Sequence, residues 1–281
     1  MSTNNLFSLG KMKMKMPIPA PEAGAASQQN PKAQEKFSVG VPLARIVPRE
    51  LKLTPELALV NEPRSAAAEH FRRLKTLLLH RDEGAPQVIL VTSATPSEGK
   101  SLVAMNLALA FAADLRGETL LVDADIRRPR FDDFLEPKPG LGLTDILSGQ
   151  IVLEHAILHI AKYQLHILPA GKSAADPVQL LSSDYMGVLM TTLRQRFQRI
   201  IIDTPPIVPF TDADVLGKHS DGVLMVARVE KTPMAALRQA LGSISSTRIL
   251  GIVLNDVVFN LADRSRHYGN YYEHYYAKES K

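Results

Sequence analysis

The stretch Val88-Ile89-Leu90-Val91-Thr92, followed by Ser93-Ala94-Thr95-Pro96-Ser97-Glu98-Gly99-Lys100-Ser101 and then the run Leu102–Ala113, decides the fold. A short, continuous apolar run rich in β-branched residues reads as a buried strand, and the longer run after it as a buried helix. Between them lies Ala-x-x-x-x-Gly-Lys-Ser, the pattern of a phosphate loop. Backbone N–H groups and the helix N-terminus cradle phosphates, Lys100 neutralises charge on the β and γ groups, and the Ser101 hydroxyl is placed for Mg²⁺. The nucleotide-binding segment is therefore expected to be Thr95, Pro96, Ser97, Glu98, Gly99, Lys100, Ser101 and Leu102. So short a pattern also arises by chance, but the strand before it and the helix after it are what the chemistry requires.

Downstream the same texture repeats. Apolar runs at Thr119–Val122, Leu165–Leu168, Arg199–Ile202, Gly222–Val226 and Leu250–Leu254 alternate with longer helical patterns. This predicts an α/β fold of the P-loop NTPase type, in three layers, with a mostly parallel central sheet and helices on both faces. Ligands in such sheets sit at the carboxyl ends of the strands. Two of those ends carry acids: Leu120-Leu121-Val122-Asp123-Ala124-Asp125-Ile126-Arg127 and Ile200-Ile201-Ile202-Asp203-Thr204-Pro205-Pro206. Any one aspartate alone reads equally as a helix N-cap or turn residue. Three of them on two strand tips beside a phosphate loop read as a metal and acid–base set. The prolines after Asp203 end the strand and stiffen its loop. Arg127 reads as a charge stabiliser or as the partner of a strand-tip acid.

The chain has 281 residues, 45% of them hydrophobic, which suits one large α/β domain with tails. It has no cysteine, so disulfides, thiolate zinc sites and cysteine nucleophiles are excluded. No apolar run approaches the ~18–20 residues that span a bilayer, and no secretory signal opens the chain, so a cytoplasmic protein is expected. Residues 1–40 lack helix or strand period and read as a disordered, basic leader. Residues 1–60 hold eight of the 33 Lys and Arg but only four of the 29 Asp and Glu, so the whole formal +4 lies there. The basic balance therefore says nothing for a nucleic-acid groove in the neutral remainder. Lys11, Lys13 and Lys15 alternate with methionine, which gives no amphipathic helix face for a membrane. The domain itself is expected over residues 41–262. It begins with an extended piece near Val41–Val47 and a helix over 65–80, whose Phe71, Leu74, Leu77 and Leu78 form an apolar face.

Tyrosine is unevenly placed. Five of seven (Tyr268, Tyr271, Tyr272, Tyr275 and Tyr276) fall within residues 263–281, in a chain without Trp. Gly269 and Asn270 favour flexibility there, so the segment reads as a tail that a protein active site can reach. A sticky association surface is the alternative.

Taken together, a Ser-x-x-Pro-x-Glu-Gly-Lys-Ser loop, apolar-Asp-x-Asp-x-Arg, apolar-Asp-x-Pro-Pro and a terminal tyrosine cluster occur in that order. Over about residues 62–281 the chain thereby resembles the bacterial tyrosine autokinases (BY-kinases) of capsule and exopolysaccharide biosynthesis. The resemblance implies ATP and Mg²⁺ as cofactors. It implies a protein-tyrosine kinase that phosphorylates the tail tyrosines of a neighbouring copy and regulates polysaccharide polymerisation and export. Asp123 would be the base, Asp125, Asp203 and Ser101 the metal ligands, and Lys100 the bridge to the phosphates. Spacing leaves the roles of Asp123 and Asp125 exchangeable. Asn255 falls where related ATPases contact adenine, or is simply a turn residue.

Upstream, Glu69-His70-Phe71-Arg72-Arg73-Leu74-Lys75 is similar to the family's Glu-x-x-Arg-x-x-Arg element of ring-shaped oligomers, with Glu69, Arg72 and Lys75 in the matching places. Lys75 lacks the planar fork of arginine, and a solvated charged helix face is the plainer reading. Ser97 stands where many members of the family carry glycine. The partners implied are other copies of the chain, a separate transmembrane chain-length-determinant protein that activates it at the inner face of the membrane, and a protein-tyrosine phosphatase. Nucleic acid is not among them. Two other readings stay open. Partition and division-site ATPases share the fold, but carry a second lysine where Thr95 stands here; an inactive ATP-binding scaffold of polysaccharide assembly would keep the loop without the transfer.

Overall fold

Seven strands make the central sheet of the computed structural model, which describes residues 50–51, 54, 56–114, 117–136 and 138–257. In chain order the elements are β1 (Glu50–Leu51), α1 (Ala58–Asn61), α2 (Ala66–Leu79), β2 (Val88–Ser93), α3 (Lys100–Ala112), β3 (Thr119–Asp123), β4 (Leu135–Glu136), α4 (Leu143–Leu147), α5 (Leu153–Ala156), β5 (Leu158–Ile160), β6 (Leu165–Leu168), α6 (Pro177–Leu181), α7 (Asp184–Arg196), β7 (Arg199–Asp203), α8 (Asp212–Gly217), β8 (Gly222–Arg228), α9 (Met234–Ser243) and β9 (Ile249–Asn255). The sheet order is β5-β6-β3-β7-β2-β8-β9, parallel throughout except for the β5–β6 pair. β1 and β4 form a separate antiparallel ribbon.

All six apolar runs are strands, and the three-layer α/β fold is as expected. Alternate residues of each central strand feed two cores. Val88, Leu90, Ile200, Ile202, Val223 and Met225 face one layer, where α7 contributes Met186, Leu189 and Leu193. Ile89, Val91, Ile201, Leu224 and Val226 face the other, built on α3. Apolar side chains on both sheet faces are what make these strands continuous runs instead of alternating ones. Every residue of α3 except Leu102 is buried, as a helix apolar all round requires.

Three details differ from the sequence reading. The edge strand β5 and the ribbon β1–β4 were not expected; two- and three-residue strands carry too few side chains to show a period. On α2, capped by the Ser65 hydroxyl accepting from Ala68 N–H, Leu78 is buried and Phe71 and Leu74 pack beside it, but Leu77 is 61% exposed. One residue is about 100° of helix rotation, so Leu77 and Leu78 do not share a face. Among the described residues no helix is long and apolar enough to cross a membrane. The leader (1–40), the piece near Val41–Val47 and the tail (263–281) lie outside the described residues.

Candidate active site

The strand-to-helix turn after β2 is held by its own side chains and by distant ones. Gly99 caps α3 at φ +88, the left-handed region open to glycine. A Cβ there would lie 2.0 Å from Asn255 Nδ2, which donates to the Glu98 carbonyl at 3.0 Å. Glu98 is 2% exposed, and its carboxylate accepts from Thr95 N–H (3.0 Å) and the Thr95 hydroxyl (2.7 Å). Glu98 therefore closes the loop on itself. Ser97, exposed, sits at φ +65, a conformation that costs a non-glycine residue about 1 kcal/mol or more.

Lys100 points to the strand tips. Its Nζ lies 2.7 Å from Asp125 Oδ2, 3.5 Å from Asp203 Oδ2 and 3.3 Å from Ser101 Oγ, all in buried surroundings. The parallel register sets Asp123 opposite Asp203 on β3 and β7, so two carboxylates meet in the interior. Asp123 is fully buried and accepts three backbone N–H groups, from Asp125 (3.1 Å), Arg130 and Phe131 (3.2 Å each). It thereby fixes the loop between residues 124 and 131 as well as occupying the strand tip.

The electrostatics follow from this crowding. Burial, then the facing charge of Asp203, pushes the Asp123 carboxyl well above the ordinary carboxylate range. Burial likewise pushes Asp203 up to about 6, although Lys100 and the Ser101 hydroxyl pull the other way. Burial works against the charge on Lys100, but Asp203 and Asp125 outweigh it and its proton is held more tightly than usual. An acidic cluster holding one lysine cation is short of positive charge. Asp203 Oδ1 is buried without a hydrogen-bond partner. An orphaned carboxylate oxygen beside Asp125 and the Ser101 hydroxyl suits a hard cation such as Mg²⁺, which takes oxygen ligands.

Of the residues singled out from the sequence, the loop, Lys100, Ser101, Asp123, Asp125 and Asp203 come together, and Asn255 reaches the loop from the tip of β9. Arg127 pairs with Asp212, not with a strand-tip acid. Its Nε lies 3.1 Å from Asp212 Oδ1 and its guanidinium stacks 4.4 Å from the Phe210 ring centre. Asp212, fully buried at the start of α8, carried no motif that would have marked it. Glu69, Arg72 and Lys75 lie apart on α2. Arg72 bonds Glu69 and the Pro63 carbonyl, while Lys75 Nζ pairs with Asp114 at 2.7 Å. The five tail tyrosines lie outside the described residues.

A parallel sheet with a phosphate loop after one strand and acids on the two next tips defines a P-loop protein of the kinase and ATPase class. No protein-family model matches the chain. It is 34% identical over 230 residues to the succinoglycan biosynthesis transport protein ExoP of Rhizobium meliloti, covering 76% of this chain but 29% of that protein. It is 30% identical over 225 residues to the tyrosine-protein kinase YwqD of Bacillus subtilis, covering 79% of this chain and 94% of that one. The kinase domain of the Escherichia coli tyrosine kinase ETK is similar with a TM-score of 0.67 at 28% identity, over 75% of this chain and 83% of that chain. The chain belongs to the bacterial tyrosine-protein kinases.

Proposed function

We propose that the chain is a Mg-ATP-dependent tyrosine kinase of an exopolysaccharide system that phosphorylates the tail cluster Tyr268, Tyr271, Tyr272, Tyr275 and Tyr276 of a neighbouring copy. The observation that carries this is the convergence of Lys100, Asp125 and Asp203 at the end of a phosphate loop. ATP would lie along residues 95–102 with its adenine near Asn255. Ser101, Asp125 and Asp203 would hold Mg²⁺, which supplies charge neutralisation on the transferring phosphate. A tyrosine oxygen attacks the γ-phosphorus, the bond to the β–γ bridging oxygen breaks, and ADP leaves. The phenolic proton would pass to Asp123, the strand-tip carboxylate that faces Asp203 across the β3–β7 pair. A transmembrane chain-length-determinant protein would activate the kinase at the membrane, a tyrosine phosphatase would reset it, and Glu69, Arg72 and Lys75 would contribute to a ring of copies.

Incubation of the purified chain with Mg-ATP, followed by detection of phosphotyrosine, tests the reading. Signal is expected from the parent, and none from Lys100→Met or from a chain ending at Arg264. ATP hydrolysis without phosphotyrosine, even with the activator present, would instead favour a partition-type ATPase. Binding without turnover would favour a scaffold. The two acids separate by Mn²⁺ binding in the presence of a non-hydrolysable ATP analogue: Asp123→Asn should retain the metal and lose transfer, whereas Asp125→Asn should lose the metal.

A further inference from the structure

The phosphate loop is held from outside its own sequence. The Thr232 hydroxyl donates to Glu98 Oε1, the same oxygen that takes the Thr95 hydroxyl, and itself accepts the Arg228 N–H at 2.7 Å. Arg228 reaches the Ser97 carbonyl through Nη1 at 3.3 Å, while its Nε is anchored on Asp256 at 2.8 Å. Asn255 holds the Glu98 carbonyl from the other side. Thus the turn after β8 and the tip of β9 grip two consecutive residues of the loop. The residue gripped by Arg228 is Ser97, whose left-handed backbone persists only where the surroundings over-determine it. A loop that must present its N–H groups to phosphate in one shape gains affinity when that shape exists before the ligand arrives.

We propose that Thr232, with Arg228 as its support, is a positioning residue for nucleotide binding. It locks Glu98 so that the loop is already in its phosphate-accepting form. The proposal rests on the kinase reading above for the identity of the ligand. Neither residue need touch the nucleotide. The end of β8 and the turn after it, which carry them, belong to none of the motifs, and the hydroxyl lies 134 residues from its acceptor along the chain.

The test is calorimetric titration of the full chain with the Mg complex of a non-hydrolysable ATP analogue and, separately, with Mg-pyrophosphate, which meets only the loop. Thermal melts of each variant are recorded alongside. A hydrogen bond to a buried carboxylate is worth enough that Thr232→Val should weaken both ligands about tenfold. Thr232→Ser, which keeps the hydroxyl, should bind within about twofold of the parent, where a tenfold loss is about 1.4 kcal/mol. Phosphorylation assays should show the Thr232→Val defect as a raised KM for ATP with kcat retained. Parent-like binding by Thr232→Val overturns the proposal. So does a Thr232→Ser variant as impaired as the valine, since the side chain would then act by packing. A loss confined to the nucleotide and absent for pyrophosphate overturns it too. If Thr232→Val does not fold, Arg228→Gln carries the same comparison, with weakening of both ligands expected and parent-like binding contrary. A parent chain that binds neither ligand overturns the kinase reading instead.

Discussion

At the scale of single residues, the site combines a strained loop with uncompensated acids. Gly99→Ala must accept φ +88 and displace the Asn255 amide from the Glu98 carbonyl. We expect a loss of about 2 kcal/mol in stability and a severe loss of ATP binding, read by thermal unfolding and titration. Asp203→Asn should do the reverse for stability. Burial raises the folded pKa of Asp203 to about 6 against 3.8 in the free group, so the ionised form is disfavoured by folding. The penalty is full above pH 6, shrinks as pH falls through that value, and is gone below about 4. The nucleotide-free Asn variant should thus unfold later than the parent at pH 7–8, by at most about 3 kcal/mol. The two should converge near pH 4, and the variant should no longer bind Mg²⁺ with nucleotide. A parent more stable than the variant at pH 8 would contradict the account. Lys100, Ser101, Asp123, Asp125 and Asp203 were legible because each ends or follows an apolar run, where adjacency in sequence becomes adjacency at one edge of a parallel sheet. Thr232, Arg228 and Asp212 were not, since their partners are separated by long stretches of chain and their own neighbours carry no pattern.

At the scale of elements, the edge strand β5 was not legible, and its pairing with β6 holds the most perturbed histidine among the described residues. His166 on β6 is 5% exposed, stacks on His159 across the antiparallel pair at 4.4 Å, and meets the Phe197 ring edge at 5.3 Å. Burial, then the neighbouring His159, lowers its pKa from 6.5 to about 4. Folding therefore favours the neutral ring. That contribution is complete above pH 6.5 and is lost as pH falls from there toward 4. His166→Leu should flatten the fall in thermal midpoint between pH 7 and 5, where the parent loses about 1–3 kcal/mol. An identical decline in both proteins would place the acid sensitivity elsewhere. The helix α2 was foreseen almost to its ends and Leu78 is buried as expected, but the outward turn of Leu77 needed the rotation set by α3 beneath it.

At the scale of the whole molecule, charge is segregated. The described body draws on a neutral stretch of sequence, while the formal +4 belongs to residues 1–60. Under the proposed function, phosphorylation of the tail is what changes the charge between neighbouring copies. Each phosphotyrosine adds about −1.5 to −2 charge, and several on one tail repel neighbours. Light scattering is expected to give a smaller assembly after autophosphorylation than before it; equal sizes would remove the switch. The salt-bridged Lys75–Asp114 pair ties α2 to the end of α3 within one copy. Lys75→Ala should consequently lower stability by ~1 kcal/mol or less, in addition to any change in assembly size.

The seven strands are not equally secure. Lys100, Asp125 and Asp203 lie over β2, β3 and β7 in the middle of the sheet, whereas Asn255 ends β9, which among the described residues pairs only with β8 and exposes Ile252 and Leu254. Edge strands open locally far more often than central ones, and hydrogen exchange records that opening amide by amide. An excursion of β9 would withdraw the Asn255 clasp from the loop, and through Asp256 would loosen the anchor of Arg228. Opening at the sheet margin is therefore expected to lower the readiness of the phosphate site. A nucleotide that bridges the centre and the edge should slow exchange at β9 more than pyrophosphate does, even though both fill the same cradle.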